Sequence, residues 1–119
     1  MLKEYCDFKK IYIACGYTDL RNGIDGLASI IQNHFSLNPF GEGTLFLFCG
    51  RKTNRMKGLL WETDGFLLLY KRLEEGRFQW TRKTEDIENI SVEQYHWLLE
   101  GMAIIQRKTI QKVERKMIL

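Results

Sequence analysis

The sequence predicts an α+β fold: a single domain in which an antiparallel β-meander sheet of about five strands carries two packed helices. Three observations predict it. Asp64-Gly65 sits between two β-prone runs, the strongest short-range hairpin signal. Leu45-Phe46-Leu47-Phe48-Cys49 is a continuous apolar run with the composition of a central strand covered on both faces. Apolar residues recur at helical spacing over residues 19 to 35 and again after Ser91.

A chain of 119 residues, 45% of them hydrophobic, has the size of one domain and enough apolar side chains for a real core. The domain spans residues 1–119, with 102–119 a basic C-terminal segment. The mixed, charged start from Met1 to Lys10 does not have the pattern of a signal peptide, and no apolar run approaches the roughly 18 residues of a membrane span. The cytoplasm is therefore the expected compartment, with no membrane contact. Cys6, Cys15 and Cys49 are odd in number and lack C-x-x-C spacing, which argues against a disulfide framework or a zinc site. Cys15 and Cys49 are expected to be small buried hydrophobes.

The elements follow in order. Ile11-Tyr12-Ile13-Ala14-Cys15 is a short strand ended by Gly16. Thr18 is a candidate N-cap, Asp19 favours the positive end of a helix, and Leu20, Ile24, Leu27, Ile31 and Phe35 form one face of a helix over 19 to 35. Gly23 and Gly26 weaken that helix by about 1 kcal/mol each and imply a close approach on their side. Leu37 to Gly43, with the only Pro, is a connecting loop, and Gly50 to Asn54 is a basic hairpin loop that lacks the spacing of a phosphate-binding P-loop. With Asp64-Gly65 as a two-residue turn, Trp61 faces Leu68, Leu59 faces Tyr70 and Lys57 faces Arg72 on one side of the hairpin. A second turn at Glu75-Gly76 adds a strand ending at Trp80. Thr81 to Glu88 is a polar linker. Ser91 and Gln94 make a capping box for a helix whose face is Tyr95, Leu98, Leu99 and Met102, with Gly101 near its end. The last residues are a basic amphipathic pattern open to helix, strand or tail.

The net charge of +3 is segregated into blocks. Residues 51 to 83 carry nine bases and four acids, 84 to 100 five acids and no Lys or Arg, and 101 to 119 five bases and one acid. Lys57 opposed to Arg72 places like charges together, which destabilises a strand pair unless an anion lies between them. Two explanations stay open: the side chains splay into water, or they form a phosphate-binding stripe.

Four segments then carry a resemblance. Gly16-Tyr17-Thr18-Asp19-Leu20-Arg21-Asn22-Gly23-Ile24-Asp25-Gly26-Leu27, Gly50-Arg51-Lys52 through Trp61, Tyr70 to Trp80, and Leu98-Leu99-Glu100-Gly101 together resemble the second open-reading-frame protein of the insertion-sequence sixty-six family, often called TnpB. The resemblance covers roughly residues 11 to 101 in a single order. It implies a small, non-enzymatic accessory protein encoded beside a transposase, which is then the expected partner. It departs from the family pattern at Tyr17, Asn22, Thr81 and Met102-Ala103.

Three function classes meet the residues. A nuclease would need carboxylates converging on a metal, but turn, cap and solvated roles account for Asp19, Asp25, Glu62 and Asp64, so neither catalytic residues, a metal site nor a cofactor is assigned. A nucleic-acid binder would use Arg51, Lys52, Arg55, Lys57, Lys71, Arg72 and Arg77, with Trp80 as a further candidate, to contact DNA or RNA. Trp61, Tyr70, Phe78 and Trp80 serve equally as core aromatics. A protein–protein adaptor that docks on the transposase without nucleic acid would instead use the acidic block and the basic tail.

Overall fold

A computed structural model of the protein describes residues 8–82 and 84–106. Cys6 and the basic run beyond Gln106 lie outside the described residues. Five strands, β1 (Lys10–Ala14), β2 (Thr44–Cys49), β3 (Arg55–Glu62), β4 (Gly65–Arg72) and β5 (Ile87–Ile90), form one sheet in the order β4-β3-β2-β1-β5. The fold is α+β. β2, β3 and β4 are the expected antiparallel meander, with the apolar run of β2 at the centre and every one of its residues buried.

β1 pairs parallel to β2, Ile11 opposite Leu45 and Ile13 opposite Leu47. Parallel neighbours need a long crossover, and the segment between them supplies it with a helix. That helix is shorter than its hydrophobic period implies: α1 runs Ile24–Ser29 and continues as a π-turn over Ile30–His34, where Phe35 N–H donates to Ile30 O five residues back (3.2 Å). Thr18 is not its cap; Gly23 holds that position. Residues 19 to 22 form a turn instead, because the Asp19 carboxylate accepts from the Arg21 backbone N–H (3.0 Å) and satisfies it outside a helix. The two glycines do not mark a close approach of a strand: the atoms nearest a Cβ on Gly26 belong to the Asn22 side chain, and among the described residues nothing lies within 4 Å of one on Gly23.

The β3–β4 hairpin turns one step earlier than the Asp64-Gly65 signal. Glu62 pairs with Gly65, so Thr63-Asp64 is the loop, and Gly65 does not take the left-handed conformation that a type I′ turn would require there. The register moves by two residues, which preserves the faces and changes the partners. Lys57 now faces Tyr70, and Arg55 faces Arg72. Gly76 does adopt a left-handed turn (φ +81°), yet residues 77–80 form no strand; Phe78 and Trp80 plug the core instead, with Trp80 Nε1–H donating to Ala14 O (2.7 Å). The fifth strand comes from the acidic segment expected to be a linker, Ile87–Ile90 pairing antiparallel with β1.

Both sheet faces are covered. On one, Ile11, Ile13, Leu45, Leu47, Met56 and Leu60 pack against Phe78, Trp80 and the Tyr95, Leu98 and Leu99 face of α2 (Val92–Leu99). On the other, Leu27 and Ile31 of the α1 segment lie on Phe46, Phe48 and Leu59. The capping box of α2 is complete: Gln94 N–H donates to Ser91 Oγ (3.0 Å) and Ser91 N–H to Gln94 Oε1 (2.8 Å). Among the described residues no helix is long and apolar enough to cross a membrane.

Three measurements test this core. Ser91→Ala removes the α2 cap and is expected to lower stability by about 1 kcal/mol, read as a lower urea midpoint at unchanged slope. The thiols of Cys15 and Cys49 are both buried and free, and burial pushes each up from 9.0 to about 11, Glu88 and Asp86 adding to the effect at Cys15 and Arg82 opposing it at Cys49. A raised folded-state value means that the folded chain keeps protons the unfolded chain gives up. The stabilisation is therefore complete below pH 9.0 and is lost as pH rises through about 11, which a series of melting temperatures across that window will show. At pH 8 iodoacetamide is expected to modify neither Cys15 nor Cys49 until denaturant is added, as read by peptide mass spectrometry.

Candidate nucleic-acid interface

Parallel pairing brings the loops after β1 and β2 to one end of the sheet, beside the start of β3 and the end of β4. Thr18 N–H donates to Cys49 O (2.7 Å), tying the first loop to the end of β2. The second loop lies against it at Gly50, where a Cβ would be in ordinary contact with the Leu20 side chain at 3.4 Å. Between these loops and the ends of β3 and β4 opens a cleft of about 860 Å³.

Its charged lining is lopsided: Arg21, Arg51, Lys52, Arg55 and Lys57 against Asp19. Asp19 is already committed, because its carboxylate accepts from Arg21 Nε (3.0 Å) and Nη2 (2.7 Å). The hydrogen bonds from the Arg21 side chain and amide hold that carboxyl well below its usual range, at about 2. Arg51 reaches back over the first loop, where Nη2 donates to Tyr17 Oη (2.8 Å) and the guanidinium carbon sits 4.3 Å from the Tyr17 ring centroid. Lys57, half-buried, donates from Nζ to Asn22 O (2.9 Å). Among the described residues, Lys52 and Arg55 have neither a salt bridge nor a hydrogen-bonded side-chain partner, and both are exposed. Tyr17 and Tyr70, the aromatic members of the lining, are 55% and 51% exposed.

Four of the seven basic residues singled out from the sequence thus converge. The other three do not join them. Lys71 pairs with Met56 and so belongs to the α2 face of the sheet. Arg72 stays on the α1 face opposite Arg55, but Glu74 neutralises it, with Nη2 to Oε1 at 2.9 Å. Arg77 is exposed in the segment beside the end of α2, where Gln79 Nε2 donates to Gly101 O. Trp80 is buried and offers no stacking surface. Sequence reasoning missed Arg21 by extending the helix back to Asp19, and Tyr17, just before that helix, carries no binding signal of its own. The signal against that helix was present: Asp19 favours an Asx turn, and Asn22-Gly23 is a helix breaker. Among the described residues no group of three or more His, Cys, Asp and Glu side chains comes together as a metal site.

The chain's relatives can now be placed beside this geometry. The family model described as "IS66 Orf2 like protein" matches residues 9–109. "Uncharacterized protein y4hO" of Sinorhizobium fredii (strain NBRC 101917 / NGR234) is 38% identical over 93 residues, covering 78% of this chain and 80% of that protein. "Uncharacterized protein y4jC" of the same strain is 25% identical over 105 residues, covering 87% and 89%. No solved structure is a significant match. The segments that build the cleft, from Gly16 to Arg21 and from Gly50 to Tyr70, fall inside the matched region, and the chain belongs to the IS66 Orf2-like family of insertion-sequence-associated proteins.

Proposed function

We propose that the protein is a non-enzymatic accessory factor of insertion-sequence transposition that contacts nucleic-acid phosphates through the cleft at the Gly16 and Gly50 end of the sheet. One observation carries this reading: five cationic side chains line one concavity, and the only carboxylate among them is already held by Arg21. Phosphate contact releases counterions and lowers the like-charge repulsion among the cations gathered in the cleft. The transposase encoded by the same element is the partner that family membership suggests.

Titration of a labelled DNA by fluorescence anisotropy at a series of salt concentrations tests it. Binding is expected to weaken with salt, and Arg55→Glu together with Lys57→Glu is expected to cost roughly tenfold or more in affinity and to flatten the log–log salt slope by about two. Lys71→Glu with Arg77→Glu imposes the same change in net charge away from the cleft and is expected to leave both nearly unaltered. Equal losses in the two double variants would mean a diffuse charge effect. Absence of binding even at low salt, with nuclease-resistant co-purification of the transposase, would favour an adaptor.

A further inference from the structure

Resting on the proposed phosphate contact, we infer that the cleft takes unpaired nucleotides, with a base stacked on its tyrosines, in preference to duplex. The shape is the first reason. B-form duplex is read by elements that project into its grooves, whereas this site is a concavity of about 860 Å³ between two loops and two strand ends, within the size range of pockets that enclose small molecules. A duplex would meet only its rim; a single strand can enter it.

The aromatic side chains are the second reason. Tyr17 and Tyr70 line the cleft and are both more than half exposed, which an aromatic ring that served only the core would not be. The other exposed ring among the described residues, Phe40, is accounted for by packing on Trp61 and Phe66, with centroids 5.2 and 5.4 Å away. Tyr70 has no such ring neighbour among the described residues; Lys57 Nζ lies over its ring, 6.0 Å from the centroid. Tyr17 carries the Arg51 guanidinium over its ring, a flat cationic and aromatic pair of the kind on which bases stack. Stacking surfaces are of no use to a base already stacked inside a duplex. Placed among Arg51, Lys52, Arg55 and Lys57, they match the two needs of a single strand: a charged path for phosphates and rings for bases.

The test compares a ten-nucleotide oligo(dT), the same length of oligo(rU), a matching duplex and an oligonucleotide of abasic sites, each titrated against the full chain. Single strands are expected to bind at least about tenfold more tightly than duplex or abasic strand, and Tyr70→Ala to remove most of that advantage while leaving the salt slope unchanged. Tyr70→Phe keeps the ring and should retain the wild-type preference, which separates stacking from a folding defect; thermal melts of both variants check the fold. The dT and rU arms distinguish DNA from RNA. If duplex, abasic and single strands bind alike and Tyr70→Ala affects all equally, the inference is overturned while the phosphate contact stands. If none binds, or the Arg55→Glu, Lys57→Glu variant binds every probe as well as wild type, the phosphate contact itself fails and the inference with it.

Discussion

The site depends on the parallel alignment of β1 with β2. Had β1 run antiparallel to its neighbour, the loop that follows it would sit at the far end of the sheet from Gly50. With both strands pointing the same way, the Gly16–Asn22 loop and the Gly50–Asn54 loop emerge side by side, and Thr18 N–H can reach Cys49 O. β3 then starts and β4 ends at that same edge, delivering Arg55, Lys57 and Tyr70 to the opening. Crevices outside the carboxyl ends of parallel strands are a common place for ligands, and here one parallel pair in a largely antiparallel sheet is enough to make one.

The electrostatics follow from that convergence. Strand pairing places Arg55 opposite Arg72, an unfavourable cross-strand arrangement that the fold eases on one side only: Glu74 answers Arg72, and nothing among the described residues answers Arg55. Lys57 is tied to Asn22 O, a neutral acceptor that holds its ammonium in place without cancelling its charge. Asp19 does the reverse, cancelling Arg21 on the exposed loop, where an isolated ion pair contributes little to stability. The net result is a positive concavity in which Asp19 holds Arg21, Asn22 O holds Lys57 and the Tyr17 hydroxyl holds Arg51, while Lys52 and Arg55 face no acid among the described residues.

Much of this was legible in the residues, and the failures have physical causes. The alternation of Met56, Gly58 and Leu60 with Lys57, Leu59 and Trp61 assigned the hairpin faces correctly even though the turn moved to Thr63-Asp64, because a two-residue slip keeps the parity of a strand. Partners across the hairpin were not legible for the same reason, since either turn satisfies the apolar pattern. The apolar run of β2 and the Ser91 capping box are strong local signals, and both hold. β5 was hidden because Ile87-Glu88-Asn89-Ile90 is a four-residue edge strand with two exposed polar residues, held by its pairing with β1 and not by β propensity. The helix period is real at Ile24, Leu27 and Ile31, but periodicity does not register a π-turn or an Asx turn, so a helix over 19 to 35 takes in Arg21 although residues 19 to 22 form a turn.

The buried core and the candidate site are built from different residues. The face beneath α2 is closed by Phe78, Trp80, Tyr95, Leu98 and Leu99, nearly all fully buried, and substitutions there would be felt as cavities. At the cleft, Tyr17, Arg51, Lys52, Arg55 and Tyr70 are exposed, and none of them belongs to the buried cluster of Phe46, Phe48 and Leu59. The cleft gathers an excess of cations, with Lys52 and Arg55 answered by no acid among the described residues, beside the exposed side chains of Tyr17 and Tyr70. The proposed contact with a nucleic-acid strand would account for both features together.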